Sequence, residues 1–105
     1  MLWAVQRVTA AVLALCVFVH LATIIYAVRG GLSAADLLAR TRGSVGWAAF
    51  YGVFVLAVAI HAPIGLRTVA GEWLDWRGRA ADGVCALIGV ALLTLGGAAV
   101  VAVTR

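Results

Sequence analysis

The first 28 residues set the terms for the whole chain. From Leu2 to Val28 the sequence is apolar, interrupted only by Gln6, Arg7, Thr9, His20 and Thr23. About 20 apolar residues in helical conformation cross a bilayer, so this run is long enough to span and to tilt or project. It is too long for the apolar core of a signal peptide and has no basic segment before that core, so it reads as a retained span from about 3 to 28. Gly30 and Gly31 end it.

Two further runs repeat the pattern. The second span is expected from about 46 to 66, with Trp47, Phe50 and Tyr51 at one interface and Arg67 closing the other. Pro63 lies in its last turn, where a missing N–H frees the carbonyl of Ala59 and kinks the helix. The third span, about 82 to 103, has no charge in its interior, and Gly89, Gly96, Gly97 and Ala98 offer small faces for close packing. Between spans one and two, Ser33-Ala-Ala-Asp36 is an N-cap with an acid at the third helical position, which predicts a short interfacial helix over 34–39. The second connection, about 68 to 81, mixes Glu72, Trp73, Asp75, Trp76, Arg77 and Arg79 and reads as an amphipathic segment on the membrane surface. The expected fold is therefore all-α, a bundle of three transmembrane helices in one anchor domain with interfacial loop segments.

Composition agrees. At 66% hydrophobic residues, a soluble domain of 105 residues would have nowhere to hide its apolar surface. The net charge of +4 comes from eight arginines and no lysine. These arginines sit at segment ends rather than in a patch, which argues for interface anchoring and against nucleic acid. They do not orient the chain: Arg7, Arg67, Arg77 and Arg79 on one side balance Arg29, Arg40, Arg42 and Arg105 on the other. Cys16 and Cys85 fall in apolar runs without a partner at metal-ligand spacing, and are expected to be buried small hydrophobes. Asp36 and Asp82 read as helix-start residues. No phosphate loop, nucleophile–base pair or intramembrane carboxylate pair is present.

That leaves His20 and His61, the ionisable side chains deep within the spans. A titratable group at such depth is costly and marks function by default. The bland alternative is a neutral histidine hydrogen-bonding a neighbouring helix. Each has a supporting face. On span one, Gln6, Thr9, Leu13, Cys16, His20 and Thr23 share one side; on span two, Trp47, Phe54, Ala57, His61 and Gly65 do. Ala57 and Gly65, a turn before and after His61, leave room for a large flat group or for a closely packed helix. Neutral imidazoles inside a bilayer suit a bis-histidine haem. If Arg7 and Arg67 mark one membrane face, the 1.5 Å helical rise separates the two histidines in depth by roughly 10 Å. Two axial ligands of one iron lie near one level, so each histidine is expected to face its own haem and to need a ligand from a partner chain.

Two stretches resemble a known family. His61-Ala-Pro-Ile-Gly65-Leu-Arg67 is similar to the H-x-x-x-G-[IL]-R signature near the end of the second helix of the cytochrome b membrane-anchor subunit of succinate dehydrogenase. Gln6-Arg7-Val8-Thr9-Ala10 resembles the H-R-[IV]-[ST]-G that opens that family's first helix. Three helices in about a hundred residues also match. Gln6 and Ala10 depart from the first-helix motif, Trp3 stands where many members have a quinone-contacting serine, Thr68 replaces a histidine, and the acid that follows comes late, as Asp75.

The resemblance implies a haem b-binding anchor of a succinate:quinone oxidoreductase, passing electrons between an iron–sulfur subunit and quinone. His61 would ligate a proximal haem b. His20, an addition relative to single-haem anchors, would ligate a distal one, as in two-haem members. Arg7 would hold a propionate or the quinone carbonyl, with Gln6, Thr9, Trp3 and Arg67 lining the same region. The partners implied are a second membrane anchor, the iron–sulfur subunit and the flavoprotein subunit that carries the dicarboxylate chemistry, together with membrane lipid. The setting implied is an energy-transducing membrane, such as a bacterial inner membrane, with N-terminus and second loop cytoplasmic. Two other readings stay open on residues alone: a small b-type cytochrome of another quinone-linked complex, and a haem-free structural anchor.

Overall fold

The computed structural model describes all of residues 1–105 as four helices without strands. They are α1 (Leu2–Arg29), α2 (Ala34–Thr41), α3 (Val45–Trp73) and α4 (Arg79–Thr104). α1, α3 and α4 are each long and apolar enough to cross a membrane. The longest dimension, 47 Å, matches the roughly 40–45 Å of a bilayer with its headgroups. α3 is the central helix, packed against α1 on one side and α4 on the other, while α2 lies across the end of α4.

The local signals act where expected. α1 stops at Gly30, and Gly31 follows with φ +65°, a backbone that favours glycine. α2 carries a complete capping box: the Ser33 hydroxyl accepts from the Asp36 N–H, and the Asp36 carboxylate accepts from the Ser33 N–H at 2.8 Å. Those bonds hold the exposed Asp36 carboxyl below the ordinary carboxylate range, the Ser33 backbone bond contributing most. Ser44 caps α3 by accepting from the Trp47 N–H. The C-terminal carbonyls of α4 find partners across space: the Thr41 hydroxyl donates to Val103 at 2.6 Å, and the Gly43 N–H to Thr104 at 2.7 Å. The α2–α3 junction is thereby stitched to the end of α4.

The second connection differs from its expectation. α3 continues through Trp73, well beyond the apolar run that ends at Leu66, and the surface segment shrinks to residues 74–78. The apolar stretch measures the hydrocarbon thickness, not the helix, and Thr68 to Trp73 contain nothing that stops one. The stop comes at Asp75, in the left-handed region at φ +51°, where the N–H groups of Leu74 and Trp76 both donate to the Ala70 carbonyl. Arg77 then folds back over Gly71, where an added Cβ would lie 3.2 Å from its Nε.

α3 and α4 meet through small residues. A Cβ on Gly89 would fall 2.6 Å from Cγ of Pro63 and 3.2 Å from the Ala59 carbonyl oxygen, the group Pro63 leaves without its helical donor. Gly96 receives Val55 in the same way. Gly97 and Ala98, expected to share this role, do not: Gly97 has open space around it and Ala98 is exposed. Cys16 and Cys85 are both buried free thiols, as expected of small hydrophobes. Most large apolar side chains point outward, including Phe18, Leu87 and Leu95, as suits a lipid or partner environment.

Candidate functional site

Both histidines lie on the seam between α1 and α3. The α1 face read from periodicity is the one turned inward: Thr9, Cys16 and Ala27 are buried, and Gln6, Leu13, His20 and Thr23 are half-buried. On α3, Ala57 is buried and Trp47, Phe54, His61 and Gly65 are half-buried.

At the level nearer the N-terminus, the Thr9 hydroxyl stands 3.2 Å from Nδ1 of His61. One turn away, Gly65 faces Gln6, whose Nε2 would be 3.1 Å from a Cβ at position 65. The absent side chain lets the helices approach closely enough for the Thr9–His61 contact. The Gln6 Oε1 is buried and has no hydrogen-bond donor, an orphaned acceptor on the same seam.

At the other level, His20 is walled by aromatic rings. Tyr51 and Phe54 meet it edge-on at centroid distances of 5.8 Å, and the Tyr51 hydroxyl is 3.5 Å from Nδ1, at the limit of a hydrogen bond. Its ring opens into a mainly apolar cavity of about 580 Å³ under α2, lined also by Tyr26, Arg40, Thr41 and Gly96.

The register fixes the depths. Thr9 stands opposite His61, and His20 opposite Tyr51. The eleven residues from Thr9 to His20 therefore separate the histidines by about 16 Å along the helix axis. The sequence suggests about 10 Å because it sets Arg7 level with Arg67; the Gln6–Gly65 contact shows instead that Arg67 extends further outward.

The remaining candidate residues occupy two other places. The Arg7 guanidinium sits 4.8 Å from the Trp3 ring centroid, and both residues are exposed on the outer side of α1. Arg67 turns towards α4 and pairs with Asp82 at 2.8 Å. That pair borders a more polar cavity of about 640 Å³ between α3 and α4, with Thr68, Trp76 and Arg77. The structure thus gathers Gln6, Thr9 and His61 and leaves Trp3, Arg7 and Arg67 apart from them. Sequence reasoning did not find the partnership of Tyr51 with His20 or of Asp82 with Arg67. The available signal was opposite charge at the facing ends of consecutive spans, but Asp82 reads equally well as a helix-start residue, which its place in the first turn of α4 also bears out.

The sequence model of one family, the succinate dehydrogenase/fumarate reductase transmembrane subunit, matches residues 1–102. The chain belongs to that family. It is thus a membrane subunit, and its histidine-bearing seam lies wholly within the matched residues. No curated protein and no solved structure matches the chain. Family membership makes the chain a component of a multisubunit succinate dehydrogenase/fumarate reductase assembly. It also accounts for the scarcity of buried residues, since an anchor finishes its packing against other subunits and lipid.

Proposed function

We propose that this chain is the haem b-carrying anchor of its complex, relaying electrons between the iron–sulfur subunit and membrane quinone. The observation that carries the proposal is the pair of histidines on one helix seam, about 16 Å apart along the helix axis. That spacing is too great for one iron, so each imidazole would hold its own haem, and a second membrane anchor would supply a further ligand to each.

The residues present fit such a group. His20 borders an apolar cavity of about 580 Å³, within the usual few hundred to a thousand of ligand sites. His61 is half-buried, so its ring stays within reach of a group bound outside the seam, while Ala57 and Gly65 are taken up by the packing of α1. The orphaned Gln6 oxygen suits a hydroxyl or acid donor on a bound molecule. A haem bound at either level supplies one-electron storage through its iron.

The protein's part is to hold and insulate. His61 presents a ring nitrogen at the inner level and His20 another beneath α2. Gln6 accepts a hydrogen bond from a quinol hydroxyl or a propionic acid. Arg7, steadied on Trp3, supplies positive charge near developing negative charge on quinone or propionate. Arg67 contributes its field while tied to Asp82. Thr9 acts on His61 rather than on quinone. The N-terminus and residues 74–78 face the cytoplasm and the iron–sulfur subunit, with the flavoprotein beyond it, in a bacterial inner membrane.

A reduced-minus-oxidised spectrum of the purified complex tests this. A b-type band, with haem extraction giving two haems b per complex, is the expected result. No band at all would leave a haem-free anchor as the function.

A further inference from the structure

Thr9 has one hydroxyl proton and three neighbours that compete for it. The Val5 carbonyl oxygen lies at 2.8 Å, the Gln6 carbonyl at 3.1 Å and the His61 Nδ1 at 3.2 Å. Carbonyl oxygens can only accept, and the nearest is the i−4 carbonyl to which helical threonines commonly donate. The proton is therefore committed within α1, and the oxygen's lone pairs are turned towards α3. The contact with His61 is a hydrogen bond only if Nδ1 carries the proton and donates. A neutral imidazole protonated at Nδ1 has its lone pair on Nε2.

We infer that Thr9 is the positioning residue that locks His61 in the Nδ1–H tautomer, leaving the Nε2 lone pair free to ligate iron. The inference rests on the proposed role of His61 as a haem ligand and assigns that role to one nitrogen. Thr9 is 8% exposed, so water does not compete for the Nδ1 proton. The hydroxyl can sit there because Gly65 and Gln6 hold α1 close to α3 one turn away. The bond also raises the basicity of Nε2, as the outer hydrogen bond of a metal-bound histidine generally does. A more basic ligand stabilises the ferric state and lowers the reduction potential of the haem it holds.

The test uses the intact complex with Thr9→Val, which keeps the shape and removes the acceptor, and Thr9→Ser, which keeps the hydroxyl. Redox titration and the rate of haem loss to a haem-scavenging protein are the readouts. In Thr9→Val the midpoint potential of one b-type haem should rise, and haem affinity should weaken about 10- to 100-fold. Thr9→Ser should restore both. An unchanged potential and loss rate in Thr9→Val, with normal haem content, would overturn the inference while leaving the haem proposal standing. A wild-type complex without a b-type band would overturn both. If Thr9→Val does not assemble, the same readouts are taken on Thr9→Ala, which also removes the acceptor: a raised potential and faster haem loss support the lock, and unchanged values refute it.

Discussion

The two ends of the α1–α3 seam solve one problem differently. Each must hold a histidine inside the membrane. At the His61 end the seam is tight and polar: Gly65 has no side chain, Gln6 fills the gap, and a buried hydroxyl meets Nδ1 at 3.2 Å. At the His20 end it is open and aromatic. Trp47, Phe50, Tyr51 and Phe54 form a connected ring cluster, and His20 stands against two of them beside a cavity. Hydrogen bonding orients the first imidazole, and ring packing orients the second. A directional bond selects a tautomer, whereas edge-on packing fixes the ring plane without choosing which nitrogen carries the proton.

The largest test of this contrast is to remove each ring. His61→Ala and His20→Ala should each abolish about half of the b-type absorbance per complex, through different haems with different potentials. If His20→Ala leaves haem content unchanged, the outer level holds no haem and only His61 is a ligand. Next is the spacing of the seam. Gly65→Leu should destabilise the subunit by about 1–3 kcal/mol in thermal melting, because Gln6 must give way and α1 must move off α3. It should also raise the potential of the His61 haem, since Thr9 moves with α1. An unaltered potential would mean that the tight end does not depend on helix approach.

A smaller effect is expected at the aromatic end. Tyr51→Phe removes a hydroxyl at the limit of hydrogen bonding and should change stability by under about 0.5 kcal/mol, with little shift in the His20 haem potential. A shift as large as that of Thr9→Val would erase the distinction between the two ends. The smallest effect concerns α2, which roofs the His20 cavity. Ser33 holds the Asp36 carboxyl below its ordinary value of 3.8. The stability from that cap is therefore fully present above 3.8 and is lost as pH falls through the lower folded value. Tryptophan fluorescence, in which Trp47 reports on this end, should stay constant down to about pH 4 and change only below it. Ser33→Ala should remove that acid step without affecting the His61 haem.

Much of the architecture is readable from residue order. Three spans follow from runs that cannot stay in water, the α2 cap from Ser33 and Asp36, and the inward faces from helical periodicity through Thr9, Cys16 and Ala57. The two histidines stand out because an ionisable ring is costly in lipid. The family itself follows from two short motifs, one on each side of the seam.

What those residues touch was decided by the tertiary structure. Periodicity tells which side of a helix turns inward but not how far one helix slides along another. That slide is set by interlocking shapes such as Gln6 against Gly65 and Gly89 against Pro63. It makes Thr9 the partner of His61, moves Arg67 away from Arg7 and towards Asp82, and widens the separation of the histidines to about 16 Å. Hydropathy likewise marks where lipid ends, while the end of α3 waits for the left-handed turn at Asp75. The sequence alone therefore determined a three-span anchor with an imidazole inside each of its first two spans; the packing of α1 on α3 decided that one is hydrogen-bonded and the other framed by aromatic rings.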